Sequence, residues 1–182
     1  MFLTGTPIIN YPNEIGILFN MLRGYIKTFK FYVNVETSDR VNEDIIRDTL
    51  RPLNIADYIK YDNSSKTITI TRNPFEYVSQ YDDKMYSGVK KNKGGNGCSD
   101  KRDCEGGFVC KDKKCVAMDD KSFVKIVSNM LQRKDIMTMK VEKNSHTALP
   151  DTTEKFNNMF IEQKSAIGKV KNEMLFKMRI LG

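Results

Sequence analysis

The sequence predicts a mixed α/β fold of the α+β kind, with part of a sheet at its start rather than a complete doubly wound sheet. Three observations carry this. Residues 66–71, Lys-Thr-Ile-Thr-Ile-Thr, alternate strictly between apolar and polar, the period of a strand with one buried and one wet face. Ile15, Leu18, Phe19, Leu22 and Ile26, and later Phe123, Ile126, Val127, Met130 and Leu131, recur at helical spacing. A stretch rich in Gly, Lys and Asp over residues 87–114 interrupts the periodic segments and reads as a loop or insertion.

Taken in order, Phe2-Leu3-Thr4 reads as the end of a buried strand, expected to be poorly paired. Pro12 and Glu14 suit the first turn of the Ile15–Ile26 helix. Residues 29–35 place Phe29, Phe31, Val33 and Val35 at strand period. Asn42 suits the cap of a short helix with Ile45, Ile46, Thr49 and Leu50 on one face, ended by Pro52. A hairpin follows, with Tyr58-Ile59-Lys60-Tyr61 and residues 66–71 as arms around Asp62-Asn63-Ser64-Ser65. Beyond the insertion, Asp119 or Asp120 caps the Phe123–Leu131 helix, and residues 136–141 suit a strand. Pro150-Asp151 opens another helix, where Asp151 and Glu154 resemble a capping box and Phe156, Met159 and Phe160 form the apolar face. Residues 172–181 close the chain as a helix. Met130 and Met159 read as core.

Composition narrows the class. Hydrophobic residues are 40% and charged residues 29% of the chain, a globular balance, and with no Trp the ten Phe and eight Tyr carry the ring packing. Thirty Lys and Arg against 23 Asp and Glu give a net charge of +7, which favours nucleic acid or acidic surfaces as partners. No run of about eighteen apolar residues is present, so no membrane partner is expected. The first residues lack a basic region and a long apolar region, which argues against a secretory leader and for a reducing compartment around the cysteines.

The most informative stretch is Leu3-Thr4-Gly5-Thr6-Pro7-Ile8-Ile9-Asn10, followed by Glu14 and a helix bearing Leu18, Asn20 and Leu22. Small hydroxyls at a strand end can bond nearby carboxylates, Gly5 permits close backbone approach, and Pro7 fixes the exit direction. The stretch resembles motif III of Swi/Snf-like superfamily 2 helicase-type ATPases. Thr67-Ile68-Thr69-Ile70-Thr71-Arg72-Asn73-Pro74-Phe75, Leu149-Pro150-Asp151, Phe160-Ile161 and residues 172–182 resemble segments of the helicase-type NTPases of large cytoplasmic DNA viruses, related to the poxvirus nucleoside triphosphatase I. The resemblance spans nearly the whole chain except the cysteine stretch.

That resemblance implies that residues 1–40 are the C-terminal edge of a first RecA-like ATPase domain. Residues 41–86 would be a small α/β-hairpin segment, 87–118 a basic cysteine-containing loop, and 119–182 a helical connector toward a second RecA-like domain. It implies that Thr4, Gly5, Thr6, Pro7 and Asn10 couple an ATP site to nucleic-acid binding, with Thr4 and Thr6 as the coupling hydroxyls. The whole enzyme would use ATP and Mg to move on DNA or RNA in viral transcription, in the virion or the cytoplasmic viral factory. Its partners would be the remaining helicase domains or the viral transcription machinery. The chain has no Gly-x-x-x-x-Gly-Lys-Ser/Thr, since Gly168-Lys169 continues with Val170. It also lacks an Asp-Glu motif II for magnesium and an arginine-rich motif VI. The expectation is an internal fragment, from a split or truncated reading frame or a partial sequence, that binds no ATP or Mg alone and is inactive by itself. A non-enzymatic basic nucleic-acid-binding or virion assembly protein is the competing reading, and a disulfide-bearing virion protein the third.

Cys98, Cys104, Cys110 and Cys115 follow C-x5-C-x5-C-x4-C. Structural zinc sites usually pair ligands two to four residues apart, so the zinc signal is weak. The pattern, with Asp103 before Cys104 and Gly106-Gly107 after it, also resembles small disulfide modules of secreted proteins. Free thiols, a zinc site and disulfides all remain open. Lys84, Lys90, Lys91, Lys93, Lys101 and Arg102 cluster around the cysteines with Tyr81 and Tyr86 nearby, a set suited to phosphate contact and base stacking, or simply to a solvated charged loop. His146, the single histidine, reads as a solvated loop residue.

Overall fold

The computed structural model describes residues 10–35, 41–74, 76–82, 85–92, 97–100, 103–104, 106–162 and 169–181. The fold is mixed α+β. The chain forms two compact units, Lys27–Asn144 and a second assembled from Met1–Ile26 with Ser145–Gly182. The strand expected at Phe2 to Thr4 lies outside the described residues.

The larger unit is built on a sheet. Strand β1 (Tyr25–Val35) is followed by helix α2 (Glu43–Leu50), after the earlier helix α1 (Asn13–Arg23). Then come β2 (Ala56–Asp62) and β3 (Thr67–Arg72), and much later β8 (Ile136–Thr147). These strands lie in the order β2-β3-β1-β8. Strand β3 runs antiparallel to both β1 and β2, with Phe29 opposite Ile70 and Phe31 opposite Ile68. One face therefore presents Phe29, Phe31, Val33, Ile68 and Ile70, all buried. Helix α3 (Asp120–Gln132) contributes Phe123, Val127 and Leu131 to the same core, and α2 contributes Ile46 and Leu50. Phe29 and Phe123 meet ring to ring at 4.7 Å. Truncating either fully buried ring would cost about 3–5 kcal/mol.

Both helices begin where their side chains satisfy orphan N–H groups. The Asn42 Oδ1 accepts from Ile45 N at 2.9 Å, and the Asp119 Oδ1 accepts from Ser122 N at 2.7 Å. The turn between β2 and β3 is organised by Asp62, whose carboxylate accepts from the hydroxyls of Ser64 and Ser65 at 2.6 and 2.8 Å.

Four sequence expectations need correcting here. The polar face of strand β3 is drier than its alternation suggests: Thr67 and Thr71 are buried and Thr69 half-buried, the short threonines lying between longer side chains of the flanking strands such as Tyr32, Tyr58, Lys30 and Lys60. Helix α1 ends at Arg23, and Ile26 belongs to β1; Gly24, at φ +71°, turns the chain out of the helix in a conformation that L side chains resist. The stretch over 87–114 is not simply a loop. It holds most of β5 (Met85–Lys91), which pairs with β4 (Tyr77–Asp82), and β6 (Phe108–Lys111), which pairs with β7 (Lys114–Ala117). Strand β8 runs on to Thr147, so exposed His146 sits in a strand rather than a loop.

The smaller unit gathers α1, α4 (Thr153–Phe160), α5 (Glu173–Leu181) and the short pair β9 (Ile161–Glu162) and β10 (Lys169–Val170). Its core is Leu149, Phe156 and Phe160, with Ile15, Phe19, Leu175, Phe176 and Ile180 packed against them. The Phe160 ring meets that of Phe156 at a tilt and that of Phe176 edge-on, with centroids 5.3 and 5.2 Å apart. Asn20 holds the Leu149 backbone at two points, donating to its carbonyl and accepting from its N–H, each at 2.8 Å. Asp151 is not the cap of α4, as the capping-box pattern suggests. Thr152 occupies that position, and the Asp151 carbonyl instead accepts from Asn13 Nδ2 at 3.0 Å. Met159 is exposed rather than core, whereas Met130 is partly buried against the larger core.

Candidate functional site

Of the motif-like stretch, Thr4, Gly5, Thr6 and Pro7 lie outside the described residues. Asn10 is described. It is exposed, and its N–H donates to the Glu14 carboxylate at 3.3 Å, ahead of α1. Glu14 thus meets the backbone that leads into its own helix, near the positive end of the helix dipole.

The cysteine stretch is built on the β6–β7 hairpin. Its two-residue turn is Asp112-Lys113, both at positive φ, the geometry that matches the twist of paired strands. Cys110 and Cys115 stand directly opposite one another, so both side chains leave the same face. They do not bond to each other. Cys98 pairs with Cys110 and Cys104 with Cys115, so the two disulfides cross and none of the four thiols is free. The Cys98 N–H donates to the Lys113 carbonyl at 3.1 Å, which lays that segment along the hairpin. Ser99 and Asp100 are tied to Asp103, whose carboxylate accepts from Asp100 N, Ser99 N and the Ser99 hydroxyl at 2.9, 2.6 and 3.1 Å. Those hydrogen bonds, from Asp100 first and then from Ser99, hold the Asp103 carboxyl below the usual carboxylate range.

The hairpin is anchored to the larger core. Phe108 and Met118 are buried, the Met118 N–H donates to the Gly107 carbonyl at 2.9 Å, and the Asn92 side chain donates to the Gly106 carbonyl at 3.1 Å. The sulfurs of Cys98, Cys104 and Cys115 lie within 4.8 Å of one another, a cluster that could hold a metal ion were the disulfides opened.

The basic residues are only partly placed. Lys90 and Lys91 are exposed on β5, opposite Val78 and Tyr77, and Lys91 Nζ lies 3.2 Å from Glu76. Lys84, Lys93, Lys101 and Arg102 fall outside the described residues. Tyr81 is exposed, but Tyr86 is buried with its ring 6.1 Å from that of Tyr81, so Tyr86 is not a stacking platform for a base. His146 keeps its Nδ1 2.9 Å from the Thr147 carbonyl.

A second cluster escaped the sequence reading. The Asp120 carboxylate, at the start of α3, meets Lys27 Nζ at 3.0 Å, Arg72 Nη1 at 3.0 Å and Lys143 Nζ at 3.1 Å. Three strands thereby send one cation each to a single helix residue. The Arg72 guanidinium also donates to the Met118 carbonyl and lies 5.1 Å from the centre of the Phe123 ring. Its side chain is 5% exposed and that of Asp120 24%. The cluster ties β1, β3 and β8 to α3. No periodicity or motif reveals it, because the four residues are scattered through the sequence and each alone reads as a surface charge. Comparison of the chain with family models, with curated proteins and with solved structures gives no match.

Proposed function

We propose that the chain is part of an ATP-dependent helicase or translocase of the Swi/Snf-like superfamily 2, of the kind encoded by large DNA viruses, acting on DNA or RNA in viral transcription. The observation that carries this reading is the run Leu3-Thr4-Gly5-Thr6-Pro7 with Asn10 and Glu14, followed by an apolar helix. The presence of α1 at Asn13–Arg23, where the motif requires a helix, supports it. In this reading Thr4 and Thr6 are the hydroxyls that relay between an ATP–Mg site and bound nucleic acid, with Gly5, Pro7 and Asn10 completing the coupling motif. ATP and Mg are bound by other parts of the enzyme, because these residues include neither a P-loop lysine nor paired magnesium carboxylates. The partners are those other domains and the transcription machinery of the viral factory. Zinc is the metal we assign to the cysteine cluster when its disulfides are open, since thiolate sulfurs select it over hard cations.

The purified chain, assayed with magnesium, ATP and DNA, is expected to show no turnover. Its nucleic-acid binding, followed by fluorescence anisotropy at two salt concentrations, should be weak, sequence-independent and steeply salt-dependent. Changing Lys90, Lys91 and Lys93 to Ala should lower both affinity and salt slope. Turnover that follows the protein through purification would overturn the reading. Tight, sequence-selective binding at high salt would favour instead a non-enzymatic nucleic-acid-binding or virion assembly protein, to which the net charge of +7 is equally suited.

A further inference from the structure

We propose that the crossed disulfides and a zinc ion are alternative occupants of the same four sulfurs, so that thiol redox state decides whether the hairpin carries metal. The inference rests on the zinc assignment above and adds its control.

The scaffold that brings the sulfurs together does not depend on the disulfides. Cys110 and Cys115 share a face because they are opposite residues of a hydrogen-bonded hairpin. Cys98 is held beside them by its own N–H bond to Lys113, and Ser99 and Asp100 next to it donate to the Asp103 carboxylate. The base of the hairpin is fixed by buried Phe108 and Met118. With the disulfides open, Cys98, Cys110 and Cys115 are still held by backbone hydrogen bonds of the hairpin and of the segment along it. Tetrahedral zinc, with bonds to sulfur of about 2.3 Å, needs sulfurs about 3.8 Å apart. Three of the four, those of Cys98, Cys104 and Cys115, are already within 4.8 Å of one another, and Cys110 stands opposite Cys115 on the hairpin.

The chemistry balances with a dithiol or phosphine as reductant. Each disulfide takes two electrons and two protons to give two thiols, while a dithiol closes to its own disulfide or a phosphine becomes its oxide with oxygen from water. Zinc then displaces a proton from each of the four thiols. Half-buried Cys104 and Cys115 leave one disulfide open to a reductant from solution. While the disulfides stand, their sulfurs carry no charge and are poor zinc ligands. The weak zinc signal of the C-x5-C-x5-C-x4-C spacing has the same cause: the chelate is assembled by the hairpin and by Cys98 lying along it, not by neighbours in sequence.

The test uses the whole chain, with zinc sulfate as probe. Oxidised protein should bind no zinc and offer no thiol to alkylation. Reduced with a phosphine, it should bind one zinc per chain, by elemental analysis after gel filtration, and all four thiols should become protected from alkylation. Cobalt in place of zinc should give the absorption bands of tetrahedral thiolate ligation, a readout on unaltered protein that does not depend on any variant folding. Cys104→Ser and Cys115→Ser should each abolish the stoichiometric site. Equal zinc in the oxidised and reduced chains would overturn the redox control while sparing the zinc assignment. No zinc in either state would sink both. Neither result bears on the helicase reading, which the ATP and anisotropy assays decide.

Discussion

Replacing Asp120 with Ala should destabilise the larger unit far more than its partly exposed position suggests. The carboxylate joins three cations of unequal standing. Lys27 and Lys143, with side chains 35% and 52% exposed, return to water when it is lost, and each such bridge is worth about 0–1 kcal/mol. Arg72, 5% exposed, has no such escape. Breaking a buried pair by removing one partner costs about 3–5 kcal/mol. Arg72 keeps the Met118 carbonyl and the Phe123 ring, so the low end applies. The expected loss is about 3 kcal/mol, or roughly 10 °C in Tm for a unit of this size. Urea unfolding followed by circular dichroism measures it. Arg72→Met combined with Asp120→Ala should recover much of the loss, since no buried charge is then stranded. The pH dependence has a defined sign. Burial pushes the Asp120 carboxyl up, but hydrogen bonds from Lys27 and Lys143, and their charges, outweigh it and hold the group below the usual range. Its contribution is complete above the unfolded value, about 3.9, and is lost as pH falls through the lower folded value. The gap between wild type and variant should therefore close on acidification. An Asp120→Ala cost no larger than that of Lys143→Ala would refute the reasoning.

Two further outcomes follow from the packing. Gly16→Ala should destabilise the smaller unit by about 1–3 kcal/mol, because an added Cβ meets the Pro150 carbonyl oxygen at 2.5 Å and the Phe156 ring at 3.4 Å; loss of amide protection along α1 in hydrogen exchange would report it, and unchanged protection would contradict it. The Asp62 carboxyl should titrate at about 2, held down by its hydrogen bonds to Ser64 and Ser65, and the double change of both serines to Ala should raise it toward the ordinary value in a carbon-detected NMR titration.

What the sequence revealed is what neighbouring residues decide. The Asn42 and Asp119 caps, the Asp62–Ser65 turn and the Phe123, Val127, Leu131 stripe each need only a few adjacent positions, and each takes its expected place. Pairing across distance is another matter. Four cysteines allow three connectivities, and spacing does not choose among them. The burial of Thr67 and Thr71 depends on the longer side chains that β1 and β2 set opposite them, Tyr32 and Tyr58, which the alternation of β3 does not encode. The β4–β5 hairpin hides in a run of Tyr, Ser, Gln, Gly and Lys with little apolar period. Arg72 and Asp120 lie 48 positions apart, and nothing local marks them as partners. Thr4 to Pro7, on which the functional reading leans most, lie outside the described residues, so that part of the candidate site is carried by residue types alone.

Asn20 and Leu149, joined by two hydrogen bonds, are 129 positions apart, and this sets an order of events during synthesis. When α1 leaves the ribosome, the residues that cover Ile15 and Phe19 do not yet exist. Closing so long a loop in a disordered chain is slow as well as entropically unfavourable. The intervening segment shortens the search, because β1 and β8 become sheet neighbours once it folds and draw its two ends together. The smaller unit is thus expected to form after the larger one, and until then Ile15 and Phe19 lack the partners that bury them and α1, eleven residues long, has little helical stability of its own.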